Sequence, residues 1–66
     1  MAIIKVIEVM GSSDKSWEDA TQGIVNEVSK TVKNIRSVFI ENMSAKVDNN
    51  KVTEYRINGK VSFEIE

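Results

Sequence analysis

The sequence predicts an α+β fold with the element order β-α-β-β, in which a three-stranded antiparallel sheet packs on one helix. Three observations support it: a long alternating run at the C-terminus, one amphipathic segment with helical periodicity, and a turn rich in Asn between two strand-like runs. No linker, repeat or low-complexity segment interrupts the chain. We therefore expect a single domain over residues 1–66.

The run from Lys51 to Glu66 alternates polar and apolar side chains, with only Val52 out of place. This period is typical of a strand with one buried face and one solvated face. At about 3.3 Å per residue the strand would be roughly 50 Å long, whereas a compact chain of 66 residues is only about 30 Å across. The strand must therefore bend or bury part of its apolar face against another copy of the chain.

The segment preceding this strand predicts its antiparallel partner. Ser37 to Asp48 is a second strand-like run, and it is followed by Asn49 and Asn50. Asn tolerates the positive φ angles of a tight hairpin turn. Gly59, in the middle of the last strand, predicts a bend or a close approach of two backbones.

The first half of the chain predicts a strand and a helix. Residues 2–10 are rich in Ile and Val and are expected to form a strand, with a loop over Gly11 to Asp14. Ser16 is the predicted N-cap of a helix over about Trp17 to Lys33, whose apolar stripe repeats every four residues. Such a helix covers only about half of the long strand. Trp17 is expected to pack on the sheet edge or on a neighbour, with stacking on a planar ligand as the alternative.

Composition excludes several classes of function. The chain has no Cys and no His, which excludes disulfides, Cys/His zinc sites and the usual Ser-His and Cys-His nucleophile pairs. The net charge of −1, with mixed signs, argues against nucleic-acid binding and a basic membrane patch. The apolar N-terminus is interrupted by Lys5 and Glu8, so we expect a cytoplasmic protein rather than a secreted or membrane one. We predict no enzyme activity and no catalytic residues.

Two sets of residues are candidates for ligand contacts. Asp48, Asn49 and Asn50 offer oxygen ligands of the kind calcium takes, although a tight turn requires the same residue types. Arg56 lies midway along a strand. It is expected either to form a cross-strand salt bridge with Glu41 or another outward carboxylate, or to act as a donor fork for an anionic partner.

Several segments together resemble the dodecins, and the resemblance covers essentially the whole chain. They are Lys5–Glu8, Gly11–Ser13, the single helix, the hairpin turn and Lys60–Glu66. The resemblance implies a hollow homododecamer, built of trimers, that binds a small ligand such as flavin. Further segments are similar to the calcium-dodecin branch: Ser16–Glu18, Asn34–Arg36, Ile40–Glu41, Met43, Tyr55–Ile57 and Val61–Phe63.

The resemblance also locates the expected flavin contacts, and this chain departs from the family there. Ser37, followed by Val38, stands where flavin-binding dodecins have the tryptophan that stacks on the flavin. Arg56 stands in place of a glutamine that hydrogen-bonds the flavin. Ser44 and Ala45 stand in place of an Arg-Gly pair ahead of the hairpin. We therefore expect flavin binding to be disfavoured and calcium binding to be possible. The ligand-binding positions so implied are Ser37, Val38, Ala45 and Arg56.

Overall fold

The computed structural model describes residues 2–65 and contains one sheet and one helix. The elements are β1 (Ile3–Ser13), α1 (Trp17–Val28), β2 (Ile35–Asp48) and β3 (Lys51–Ile65). All strand pairs are antiparallel, and β3 lies in the centre of the order β1-β3-β2. The predicted fold class is confirmed.

The long alternating strand gives the molecule its elongated shape. The described chain measures 51 × 20 × 13 Å, in agreement with the strand length expected from the sequence. β1 ends where Ser13 pairs with Tyr55. Beyond that pair the sheet narrows to the two strands β2 and β3, which continue to the hairpin turn.

The helix begins where the sequence predicts. Ser16 is the N-cap, and its hydroxyl accepts a 2.9 Å hydrogen bond from the backbone N–H of Asp19. The predicted end at Lys33 is wrong, because the helix stops at Val28. Ser29, Thr31 and Val32 have low helix propensity, and the chain then turns through Asn34 at φ 63°. This early end leaves a short connection that brings Ile35 beside Phe63.

The first two strands are longer than predicted. Gly11 to Ser13 is not a loop: these residues extend β1 by pairing with Ile57, Arg56 and Tyr55. Pairing with the long central strand overrides the local turn propensity of Gly and Ser. A Cβ on Gly11 would lie 2.5 Å from Cγ1 of Ile24, so glycine lets the helix lie close to the strand. β2 also begins earlier than predicted, at Ile35 rather than Ser37.

The hairpin turn and the glycine in the middle of β3 have the geometry that the sequence predicts. Asn49 and Asn50 have φ angles of 52° and 63°, the left-handed pair that a two-residue hairpin loop requires. At Gly59, any Cβ would collide with the carbonyl oxygen of Phe39. The close backbone approach predicted for Gly59 is confirmed.

The core is small for the size of the sheet. Its buried residues are Ala20 and Ile24 from the helix and Ile57 and Val61 from β3. The helix has 12 residues and is therefore about 18 Å long, roughly a third of the length of the sheet. Many large apolar side chains consequently stay exposed in the single chain: Ile3, Ile4, Val6, Met10, Trp17, Phe39, Ile40, Met43, Val47, Val52 and Ile65.

Candidate functional site

The face of the sheet opposite the helix carries most of the polar groups that could meet a ligand. Core residues Ile57 and Val61 point to the helix, so the alternate positions of β3 and the residues paired with them point away. We call this surface the helix-free face. Its members are Ile4, Val6, Glu8, Met10 and Ser12 of β1, Ser37, Phe39, Asn42, Ser44 and Lys46 of β2, and Glu54, Arg56, Asn58, Lys60, Ser62 and Glu64 of β3.

Two charged residues of this face, Glu64 and Lys60, form ion pairs with residues at the register shifts of β2. Arg36 pairs with Glu64 at 2.8 Å, and Lys60 pairs with Glu41 at 3.7 Å. These pairs are partly exposed and contribute little stability. Positive and negative side chains alternate along the face, so it has no extended patch of one sign.

Arg56 pairs along its own strand and not with Glu41. Its Nε donates a 2.7 Å hydrogen bond to Oε1 of Glu54. This hydrogen bond holds the pKa of Glu54 below its ordinary value of 4.5, and the positive charge of Lys46 acts in the same direction. The expected cross-strand salt bridge is therefore wrong: Arg56 does pair with an outward carboxylate, but that carboxylate lies on its own strand, and Glu41 pairs with Lys60 instead.

Two shallow grooves open beside the central strand. The first, of about 340 Å³, is lined by Glu8, Val9, Met10, Glu41, Asn42, Asn58 and Gly59. The second, of about 450 Å³, is lined by Met10, Gly11, Ser12, Glu54 and Arg56. Both volumes lie at the lower end of the range for small-molecule sites. Met10 lies between the two grooves and lines both.

The four flavin-equivalent positions do not come together within one chain. Ser37 and Arg56 lie on the helix-free face, while Val38 and Ala45 point to the helix side. The Ser37 hydroxyl is hydrogen-bonded to that of Ser62, and the strand from Ser62 to Arg56 spans about 20 Å. Only symmetry-related copies would bring such positions into one site.

The candidate calcium ligands lie at the tip of the hairpin and are exposed. Asp48 pairs with Lys51 across the turn, and the two Asn residues supply its left-handed backbone. Within residues 2–65, no group of three or more His, Cys, Asp or Glu side chains is arranged to hold a metal ion. Turn geometry alone accounts for the residue types at these positions.

Trp17 packs on the helix side of the sheet, as predicted. Its ring meets Tyr55 edge-on, with centroids 4.9 Å apart, and its Nε1 donates a 3.0 Å hydrogen bond to the carbonyl oxygen of Ser44. The indole is therefore held on the face opposite to Ser37. It therefore does not take the place of the stacking tryptophan that the family resemblance implies at Ser37.

Sequence reasoning missed the contribution of β1 to the grooves. Glu8, Met10 and Ser12 line them, but the paired apolar residues Ile3–Ile4 and Val6–Ile7 obscured the alternation of this strand. The even-numbered residues of β1, which continue past Gly11 to Ser12, were the pattern that could have predicted this contribution. Within residues 2–65 the structure has no helix with the length and apolar character needed to cross a membrane.

Comparisons with known proteins match almost the whole chain to one family. The family model described as Dodecin matches residues 3–66. The calcium dodecin of Mycobacterium tuberculosis is 34% identical over 65 residues, which cover 98% of this chain and 92% of that protein. The crystal structure of that calcium-chelating immunodominant antigen, with a novel calcium-binding site, superposes with a TM-score of 0.82 over 97% of this chain and 91% of the other.

More distant structures share the same fold. A Thermus thermophilus dodecin mutant is 23% identical, with a TM-score of 0.93 over 100% of this chain and 98% of the other. The Streptomyces coelicolor dodecin is 20% identical, with a TM-score of 0.92 over 98% of this chain and 93% of the other. Dodecins are known to assemble as dodecamers. Because the family model and the 34% identical relative each span almost the whole chain, this protein belongs to the dodecin family.

Proposed function

We propose that this protein is a non-enzymatic dodecin that forms a hollow homododecamer, built of trimers, and binds a small ligand or ion. The observation that carries the proposal is the mismatch between the 51 Å sheet and its small core. Dodecins are binding proteins and homo-oligomers, and a shell of copies would cover the apolar surface that one helix leaves open.

The energetics of the exposed apolar surface support assembly. Among residues 2–65, eleven large apolar side chains are exposed and only four hydrophobic residues are buried. Complete burial of one Val, Leu, Ile, Phe or Met side chain contributes about 1.5–3 kcal/mol. Partial burial of even half of the exposed set would rival the total stability of a small domain, which is about 5–15 kcal/mol.

Mass measurement and ligand titration test this proposal together. Sedimentation velocity at micromolar concentration should give one species near the mass of twelve copies. A monomer would overturn the assembly. Calorimetry with calcium, with magnesium as the control, and fluorescence with riboflavin would then identify the class of ligand.

Calcium is the ion that the similarity to calcium dodecin suggests. The 34% identical relative is named calcium dodecin, and the hairpin tip of this chain presents oxygen donors at Asp48, Asn49 and Asn50. Those three residues supply only one carboxylate, so further ligands would have to come from neighbouring copies. A calorimetric titration that is flat for calcium would reject this alternative.

Flavin is the second candidate, and one observation favours it. Phe39 is 64% exposed on the helix-free face, two positions after Ser37. It would offer a ring for stacking, with a smaller surface than the indole of flavin-binding dodecins. Arg56 still replaces the glutamine. Weak quenching of riboflavin fluorescence that disappears in Phe39→Ala would support this alternative, whereas unchanged fluorescence in the wild type would reject it.

A further inference from the structure

Three polar side chains form a row across the helix-free face beside the second groove. Arg56 on the central strand pairs in register with Ser12 of β1 on one side and with Ser44 of β2 on the other. Directly opposed residues of antiparallel strands have Cβ atoms about 5 Å apart and point to the same face. The base of the Arg56 side chain thus lies between two serines, and its guanidinium is bonded to Glu54 on the same strand.

The donors of this row are largely unused within the chain. Glu54 accepts from Nε of Arg56, which leaves the two terminal nitrogens of the guanidinium without a partner in residues 2–65. The hydroxyls of Ser12 and Ser44 likewise make no hydrogen bond within the described chain. The guanidinium fork matches the oxygens of phosphate and carboxylate, and hydroxyls donate readily to the same acceptors.

The local charge favours an anion. Lys46 is paired in register with Glu54, so the group Arg56, Lys46 and Glu54 has a net charge of +1. Glu54 and Arg56 line the same 450 Å³ groove as Ser12. A phosphate group presents its oxygens tetrahedrally and can carry two negative charges, so it can accept from donors on different sides, whereas the two oxygens of a carboxylate lie in one plane and carry a single charge.

We propose that the row Ser12–Arg56–Ser44 binds a phosphate group, either as free phosphate or as part of a phosphate monoester. This inference deepens the proposed function, on which it rests for the idea of a small ligand, by naming the chemical class of that ligand. The terminal nitrogens of Arg56 are the principal donors, and the two hydroxyls orient the anion. Glu54 competes with the anion for the guanidinium.

Phosphorus-31 NMR of inorganic phosphate titrated with the intact protein tests this proposal, with phenyl phosphate as the monoester. We expect saturable line broadening, and Arg56→Gln should weaken binding at least about tenfold. Ser12→Ala combined with Ser44→Ala should weaken it about tenfold, and Glu54→Gln should tighten it. Tighter binding of phenyl phosphate would assign the site to an organic phosphate, and equal or weaker binding to free phosphate.

Arg36→Gln is the matched control, because Arg36 is also an exposed arginine paired with a glutamate. It should leave phosphate binding unchanged. Equal loss in Arg36→Gln and Arg56→Gln, or no loss in Arg56→Gln, would overturn the site. Sedimentation of the same samples separates the two proposals: a dodecamer that does not bind either phosphate overturns only this inference, and a monomer that does bind overturns only the assembly.

Discussion

The Nε atom of Arg56 donates a 2.7 Å hydrogen bond to Oε1 of Glu54, two residues earlier on the same strand. Both side chains lie on the helix-free face, and the terminal guanidinium nitrogens have no partner within residues 2–65. Arg56 therefore brings to this face a positive charge that Glu54 only partly neutralises. This residual positive charge is the reason that we propose an anionic ligand, a phosphate group, for this face.

The first prediction concerns the titration of Glu54. Because the hydrogen bond from Arg56 lowers the pKa of Glu54 below 4.5, Arg56→Gln should raise that pKa toward its ordinary value. The stability contributed by the pair is present above the unfolded-state pKa and is lost as the pH falls through the lower folded-state pKa. An NMR titration of the Glu54 carboxyl carbon measures the shift. Arg36→Gln is the control, and identical midpoints in the wild type and Arg56→Gln would contradict the prediction.

A series of Gly→Ala substitutions tests the two close approaches in the fold. Gly11→Ala and Gly59→Ala should each destabilise the protein by about 1–3 kcal/mol, because the added methyl group meets Ile24 or the backbone of Phe39. Gly23 is the matched control, since a Cβ there has no atom within 4 Å. Gly23→Ala should stabilise the helix by up to about 1 kcal/mol.

Denaturant unfolding at a fixed protomer concentration measures the three variants on one scale, because assembly makes stability depend on concentration. Destabilisation of Gly23→Ala equal to that of Gly59→Ala would show that the close approach is not the cause.

The third prediction concerns the core. Ile57 is fully buried beneath the helix, so Ile57→Ala should cost about 2–5 kcal/mol through lost apolar burial and the cavity that remains. Lys51→Ala, at an exposed polar residue that begins the same strand, should change the free energy of unfolding by less than about 0.5 kcal/mol. Chemical denaturation checks both, and equal costs would mean that the core lies elsewhere.

The fourth prediction tests the start of the helix. Ser16→Ala removes the acceptor of the Asp19 backbone N–H and should cost about 1 kcal/mol. Ser44→Ala is the control, because the Ser44 hydroxyl has no partner among residues 2–65. Thermal unfolding should show a lower midpoint for Ser16→Ala only, and an unchanged midpoint there would contradict the N-cap.

Patterns that depend on neighbouring residues were predictable from the sequence. The alternation from Lys51, the N-cap at Ser16 and the two Asn residues of the turn each report a local backbone preference, and the structure confirms all three. The length of the sheet followed from the same alternation. These features survive because tertiary packing does not oppose them.

Features set by strand pairing were not predictable in the same way. Gly11 to Ser13 carries a turn-like composition but pairs with β3, and the apolar period that continues to Val32 suggested a helix longer than the one that forms. The partner of Arg56 depends on side-chain direction, which sequence spacing does not determine. Whether the Ser37, Val38, Ala45 and Arg56 positions meet a ligand depends on neighbouring copies, and it stays a prediction.

The central claim is that other copies of the chain cover the apolar surface of this long sheet. Analytical ultracentrifugation at micromolar concentration tests it most directly. With a chain mass of 7.4 kDa, we predict a single closed species of about 89 kDa, the mass of twelve copies. A single species of 7.4 kDa at that concentration would contradict the account.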